Sequence, residues 1–472
     1  MMLNRRDFLK ISCAGLGTLL LPHDSEATDR ASSHSVVFPM TAKQADDPHF
    51  FLQIYVYGGI DSLFLFDGRP KAMTTAGLIH DYVQEQPEPW FGDNGTHCLT
   101  TAAARMLAPH RQRLSVLNGV HMSTSFDGHL QNVNFLYTGN PFGGESFIPH
   151  LNNRETIGYE RRPLDAVQQS GFALDQHNGG NSPPLSFASA YNLIQALRKA
   201  PEMKSDHPVL AKIRARAERL GQGAGMFSGG SRSFANAFAQ SPDLAKRLSR
   251  LELRPPSTFT NAEHGFIEMM AGFFREGICS SALMEISARH HLDAHAASLA
   301  QLQTETYADL AEKLKRLFDL LANTEFANGK SLFDVTTVMF ASEFGRTLRQ
   351  PELPLDQTGT DHNSLNNSIL LAGKGIRGGL VLGETDWRSN GDLLSKAHQA
   401  IDPTGLKLMG RPFDFVTGQP RTDLPPTFEA DDYINMASVI NTLYSRFDVP
   451  QQHWRTVKRD GPKAPVLSQL LT

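Results

Sequence analysis

Four separated places in this chain set acids and histidines in turn-like surroundings. The first is Gly58-Gly59-Ile60-Asp61, and the second runs from His121 through Asp127 to His129. The third is His290-His291-Leu292-Asp293-Ala294-His295. The fourth is Ser342-Glu343-Phe344-Gly345-Arg346-Thr347 followed by Gly359-Thr360-Asp361-His362-Asn363. Carboxylates and imidazoles are the donors that hold Zn or Mn, and donors drawn from several strand ends are what a one- or two-metal hydrolytic centre requires. Such a metal polarises a phosphoryl or acyl oxygen and lowers the pKa of water. Asp61, Asp293, His295, Glu343 and His362 are the candidate ligands. His129 is a candidate general acid or base, or one more ligand. Arg346 is the candidate partner of anionic oxygens, which a guanidinium meets bidentately. The expected cofactor is a divalent ion, Zn or Mn before Ca, in one or two copies.

Each residue also has a plainer reading. Asp61 can cap a helix, His129 can be a satisfied buried histidine, and Glu343 can pair with Arg346 as a structural ion pair. His290 and His291 read as surface or packing residues. Asp293 and His295 share a side only if the chain between them is extended. Asp361 and His362 point in different directions in an extended chain, so only one of the two is expected at a metal.

The elements that must position these residues are legible as apolar runs. Phe50 to Tyr57 reads as a strand ended by the two glycines, which bring Asp61 to the carboxyl edge of a sheet, where open α/β sheets bind ligands. Leu114 to Asn118 reads as a second strand, and Leu130 to Tyr137 as a helix closed by Thr138-Gly139. The strand-then-helix pattern returns at Val335–Ala341 and Ser368–Ala372. Between them the chain reads as helical at Ala190–Lys199, Pro208–Leu220, Asn261–Arg275 and Ala296–Ala322. In the last, Leu299, Leu302, Leu310, Leu314 and Leu317 recur at core spacing. Gly221–Gly230 is glycine-rich but lacks the spacing of a phosphate-binding loop and reads as a connection.

With 40 % hydrophobic residues and a formal charge of -4, an ordinary core is within reach. No basic surplus points to nucleic acid or an anionic lipid surface. Of the three cysteines, Cys98 and Cys279 fall outside the N-terminal segment and allow at most one disulfide.

That N-terminal segment carries Arg5-Arg6-Asp7-Phe8-Leu9-Lys10, an apolar run from Ile11 to Leu21, and small and polar residues ending at Ala27. A charged start, a short apolar run and a small-x-small end form an export pattern. The paired arginines make it resemble the twin-arginine signal, with Asn4 where that signal usually has Ser or Thr. The reading is a signal over 1–27, a linker over 28–48, and a periplasmic or extracellular product. Its partners are then the twin-arginine export machinery and a small anionic ester or glycan, with no membrane anchor after cleavage.

In their order, Gly-Gly-x-Asp, the Asp293-x-His295 pair, SEFGRT (Ser342–Thr347) and GTDH (Gly359–His362) resemble bacterial domain-of-unknown-function family 1501, over nearly the whole chain beyond the signal. One departure is Asn134, where the family tends to carry an acid. That family looks like a branch of the alkaline phosphatase and sulfatase superfamily. The resemblance implies an α/β fold, an alkaline phosphatase/sulfatase-like sheet flanked by helices, as a single domain over 49–472 with a helical insertion around 188–280. It also implies Asp61, Asp293, His295 and His362 as ligands. Ten residues before Gly139, His129 stands where that superfamily carries a threonine, serine or formylglycine nucleophile, and Phe344 replaces a ligating histidine. The function expected is a metal-dependent hydrolase of phosphate or sulfate esters. The alternative is a catalytically degenerate envelope protein that holds a metal, glycan or partner without turnover.

Overall fold

The computed structural model describes residues 47–70, 79, 87–91, 97–122, 127–140, 144–151, 262–350, 352–386, 402, 404–425, 429–457 and 461–472. Within 162–251 it describes only short stretches. The export signal over 1–27, most of the linker over 28–48, the Pro208–Leu220 helix and the Gly221–Gly230 connection lie outside the described residues, as does most of the Ala190–Lys199 helix. Among the described residues no helix is long and apolar enough to cross a membrane.

The chain divides into two compact units. The described residues of one fall almost entirely within 148–282, a span that contains the expected insertion around 188–280. The other joins His49–Phe147 to Leu283–Thr472. The first unit contains two short parallel strands, β3 (Val167–Gln168) and β4 (Leu185–Ser186), and the helix α2 (Ala262–Arg275). One face of α2 is apolar through Phe266, Ile267, Met270, Phe273 and Phe274, all buried, as the helical spacing of those residues requires.

The second unit is a mixed α/β structure. Its central strands run in the order β10 (Val381–Leu382), β2 (Leu114–Leu117), β9 (Ile369–Gly373), β6 (Thr336–Ala341) and β1 (Phe50–Tyr55). On the far side of β1 the Ile286 amide, just after β5 (Ser281–Glu285), donates to the Tyr55 carbonyl at 2.9 Å. The residues of β1 and β6 are buried throughout, so both strands are mostly apolar on both faces rather than alternating, with Gln53, Thr336 and Thr337 as buried polar exceptions. The longer helices of the unit are α1 (His129–Thr138), α3 (Gln303–Asn323) and α4 (Met436–Arg446). Gly139 closes α1 in the left-handed conformation, φ 68°. In α3, Leu310, Leu314 and Leu317 are fully buried, whereas Leu299 and Leu302 precede it and are half-exposed.

Strand direction decides where the motifs meet. β1 and β6 are parallel, with Tyr55 beside Ala341, so Gly58-Gly59 and Ser342-Glu343 leave the sheet at the same edge. β2 runs in that same sense, because β9 is antiparallel to both β6 and β2, and its carboxyl end leads to α1 and His129. β9 itself departs from the strand-then-helix expectation. It is antiparallel, so its amino end faces the shared edge, and the GTDH segment enters there. A turn at Gly373, not a helix, follows it. An apolar run looks alike in either direction, which hides such a reversal in the sequence.

Two glycines make the close approaches possible. At Gly59, with φ 80°, a Cβ would lie 2.4 Å from the Phe344 ring. At Gly359 a Cβ would lie 2.2 Å from the Ala294 carbonyl oxygen and 2.3 Å from that of His295, in a pairing where the Thr360 amide donates to Ala294 at 2.8 Å. Backbone atoms cannot yield as a flexible side chain does. Gly359→Ala is therefore expected to destabilise the protein by about 1–3 kcal/mol in denaturant unfolding. An unchanged midpoint would show that the two segments do not pack as described.

Candidate metal centre

The site begins at the two glycines. The Gly58 amide donates to Glu343 Oε1 at 2.9 Å, the Gly59 amide donates to Ser342 Oγ at 3.1 Å, and the Gly58 carbonyl accepts from Arg346 Nε at 3.0 Å and from Arg346 Nη2. The first and fourth motifs are thus stapled together by backbone groups. Next, β7 (Gly345–Arg346) pairs antiparallel with β8 (His362–Asn363), setting Arg346 opposite His362. The Thr360–Ala294 hydrogen bond then brings in the third motif.

At the centre stands Asp293. Its Oδ1 lies 3.1 Å from His295 Nε2, 3.6 Å from His129 Nε2 and 3.7 Å from His362 Nε2, and it accepts from Arg346 Nη2. The Nε2 atoms of His295 and His362 are 3.0 Å apart. Two overlapping groups have donor atoms close enough to share an ion: His129, Asp293 and His362, and His295, Asp361 and His362. Asp293, His295, His129 and His362 are all partly open to solvent.

The electrostatics follow from this crowding. Burial pushes the Asp293 carboxyl upward, but the hydrogen bonds with His129 and His362, and then Arg346, outweigh it and hold the group far below the usual carboxylate range. For His129, burial alone would favour the neutral ring; Asp293 and Glu343 overcome that and raise it to about 9. His295 moves the other way, lowered first by burial and then by the Arg346 charge, which keeps its imidazole neutral at neutral pH.

Glu343 is completely buried, and both oxygens are taken up. Oε1 accepts from the Gly58 amide and from His129 Nδ1 at 2.7 Å; Oε2 accepts from Tyr55 Oη at 3.0 Å and Ser342 Oγ at 2.7 Å. With four donors it has no lone pair directed at the open side. The structure places it behind His129, where it fixes Nδ1 as the protonated nitrogen and leaves Nε2 to face Asp293. A carboxylate behind a ligating histidine is the usual support of a metal-bound imidazole. Glu343 does not pair with Arg346, whose carboxylate partner is Asp293.

Arg346 is only 1 % exposed; its Nε and Nη2 donate to Gly58 and Asp293, and its Nη1 is buried with no hydrogen-bond partner. It orients a carboxylate instead of standing at the open face. Asp61 is buried at the start of a 3-10 turn over Ser62–Phe64. Its Oδ1 caps that turn by accepting from the Leu63 amide at 3.1 Å, while its own amide donates to Tyr307 Oη at 2.5 Å. Oδ1 serves as the cap, while Oδ2 is buried with no hydrogen-bond partner; the carboxylate is not among the groups gathered around Asp293. Asp361 is largely exposed, with Oδ1 3.5 Å from His295 Nδ1. His290 is half-exposed and His291 exposed.

Aromatic rings frame the cluster. Phe344 packs against His362 and His129 with centroids 4.5 and 4.8 Å away, and Tyr57 stacks on His129 at 4.8 Å. Phe344 carries no donor atom, and Tyr57 ends an apolar run that reads as a strand, so neither ring stands out in the sequence as a site residue. Their adjacency to the glycines and to Glu343 is the one signal that was available. Cys98 and Cys279 are free thiols, each buried and each pushed up to about 12 by that burial.

A family model described as "Protein of unknown function (DUF1501)" matches residues 188–410. The matched span takes in Asp293, His295, SEFGRT and GTDH and supports that family; His129 and the double glycine lie before it. No curated protein matches the chain. Among solved structures, the "Structure of PH0037 protein from Pyrococcus horikoshii" is similar at 12 % identity, over 70 % of this chain and 88 % of that one, with a TM-score of 0.26, too slight a likeness to define the fold.

Burial raises the Asp61 carboxyl to about 7, from about 4 in an unfolded chain. Between those values the unfolded chain has released a proton that the folded one keeps, so stability falls as pH rises through the window. Asp61→Asn, which retains the capping oxygen, is expected to flatten that fall. Thermal midpoints of both proteins between pH 4.5 and 7.5 check this, and parallel curves would contradict it.

Proposed function

We propose that this chain is an exported, metal-dependent hydrolase of phosphate or sulfate esters, built on His129, Asp293 and His362 as the ion-holding set. The observation that carries the reading is the convergence of imidazole nitrogens on one oxygen of Asp293, with the tautomer of His129 fixed from behind by Glu343. Two imidazoles and a carboxylate make a donor set suited to Zn or Mn. Three protein ligands, rather than four, are the number that leaves a position for substrate or water.

When bound, the ion would polarise the ester and make water a competent nucleophile near neutral pH. The remaining work falls to the chain. Arg346, itself held by the Gly58 carbonyl, holds Asp293 in one orientation. Glu343 holds His129, which must release its Nε2 proton as an ion enters. His295 is the proton carrier: its ring is neutral at neutral pH, Asp361 faces its Nδ1, and its Nε2 points into the centre. This gives the acid-base role to His295, where the sequence pointed to His129.

Export by the twin-arginine route to the periplasm belongs to the same proposal and is supported by the paired arginines and apolar run before Ala27. Membership of the alkaline phosphatase and sulfatase superfamily is likewise proposed. Its support is the order of the motifs along the chain and their meeting at one edge of a mixed sheet.

The test is elemental analysis of the exported protein and two variants, with turnover of phospho- and sulfo-esters measured on the same samples. The parent is expected to carry stoichiometric transition metal and to turn over an ester. His362→Ala should lose the metal. His295→Ala should keep the metal and lose roughly 100- to 10,000-fold in turnover. A parent that holds no metal after reconstitution with Zn, Mn or Ca would overturn the reading. Metal held without any turnover would leave the alternative, a binding protein of the envelope.

A further inference from the structure

Beside the centre, two buried polar atoms are left over once its hydrogen bonds are assigned: Arg346 Nη1 and Asp61 Oδ2. One is a donor on a cation and the other an oxygen of a carboxyl group, so each can satisfy the other. Their residues are neighbours. Ile60 bridges to Gly345 in the parallel sense, with the Ile60 amide donating to the Phe344 carbonyl at 2.9 Å, and Asp61 and Arg346 are the next residues along the two segments. Three groups that bear or can bear charge surround the Asp61 carboxyl: Arg346 from β7, Tyr307 from α3, and Asp67 from beyond its own turn. Burial works against its ionised form, while the Leu63 amide and the Arg346 charge favour that form and Asp67 opposes it.

An ion changes what Arg346 needs. Its Nη2 donates to Asp293 Oδ1, the same oxygen on which the Nε2 atoms of His129, His295 and His362 converge. A dication received there draws on the carboxylate that neutralises the guanidinium, and it repels the guanidinium itself. A cation so deeply buried cannot turn to water for compensation and requires a second carboxylate. Asp61 is the carboxyl group that stands next to it with an oxygen to spare.

We propose that Asp61 is a positioning residue for the ion: as the ion takes Asp293, the Asp61 carboxyl gives up its proton and accepts from Arg346 Nη1, so the guanidinium keeps a full counter-charge and stays in place behind Asp293. The inference rests on the hydrolase reading above and deepens it, giving Asp61 a part in holding the ion without touching it.

Zinc titrated calorimetrically into the exported protein and into Asp61→Asn tests it, with buffers of different ionisation enthalpy used to count the protons released. The variant is expected to bind zinc roughly 10- to 100-fold more weakly. Because Asp61 is raised to about 7, the parent should release about one proton more than the variant at about pH 6. At about pH 8, where Asp61 is already ionised, that difference should vanish. Protons that leave the imidazoles are common to both proteins and cancel. Equal binding would overturn the proposal, and so would weaker binding with equal proton counts, which is the mark of a purely structural role. The crystal structure of the zinc-loaded parent reads the same contact without any substitution. Arg346 Nη1 is expected on Asp61 Oδ2, and two atoms still unpaired would overturn the proposal while leaving the ion site standing. A parent that takes up no zinc would overturn it together with the hydrolase reading.

Discussion

A guanidinium that is 1 % exposed has given up nearly all its water and must be compensated by the protein. In this molecule the compensation is Asp293, with the Gly58 carbonyl as second acceptor. Removing one partner of such a pair costs about 3–5 kcal/mol, because the other charge is stranded. Three segments far apart in sequence are thereby tied together: the double-glycine turn after β1, the Asp-x-His segment before α3, and the SEFGR segment after β6. The carboxylate fixed in this way is the one around which the three imidazoles gather. The centre depends on an ion pair whose positive half is buried and whose negative half, Asp293, is partly open to solvent.

The support of the imidazoles is divided between hydrogen bonding and packing. Glu343 controls His129 through Nδ1, and its own position is held by Tyr55, Ser342 and the Gly58 amide. Phe344 touches the rings of both His129 and His362. A side chain with no donor atom thus serves as a wall for two imidazoles. Tyr57 covers His129 from another side while remaining open to solvent. The result is a centre with buried supports and solvent-facing donors, an arrangement suited to an ion that must be reached by a ligand.

Much of the scaffold can be read from the chain, because β1, β2 and β6 are apolar runs ended by turn residues, and α1 closes on Gly139. The meeting of four motifs at one sheet edge follows from those strand ends. What escaped the sequence has physical causes. The reversal of β9 leaves no trace in an apolar run. The role of Glu343 depends on four donors from Tyr55, Gly58, His129 and Ser342, contacts that only the folded chain assembles. Arg346 looks like an anion-binding residue by type, yet the β7–β8 register turns it inward beside Asp293. Asp61 follows the glycines as a ligand would, and one of its oxygens caps the 3-10 turn that begins at Ser62. Asp293 and His295 do meet, across a tight turn in which the Ala294 amide donates to the Leu292 carbonyl. Asp361 reaches the ring of His295 rather than that of its neighbour His362.

The central claim is that an ion sits among His129, Asp293 and His362. Its most direct test is an anomalous-difference map recorded at the zinc edge from crystals of the zinc-loaded protein. The account predicts a peak about 2.0–2.1 Å from the Nε2 atoms of His129 and His362 and about 2.0–2.2 Å from a carboxylate oxygen of Asp293. A fully loaded protein with no peak at that position, or with its peak beside Asp61 instead, would contradict it.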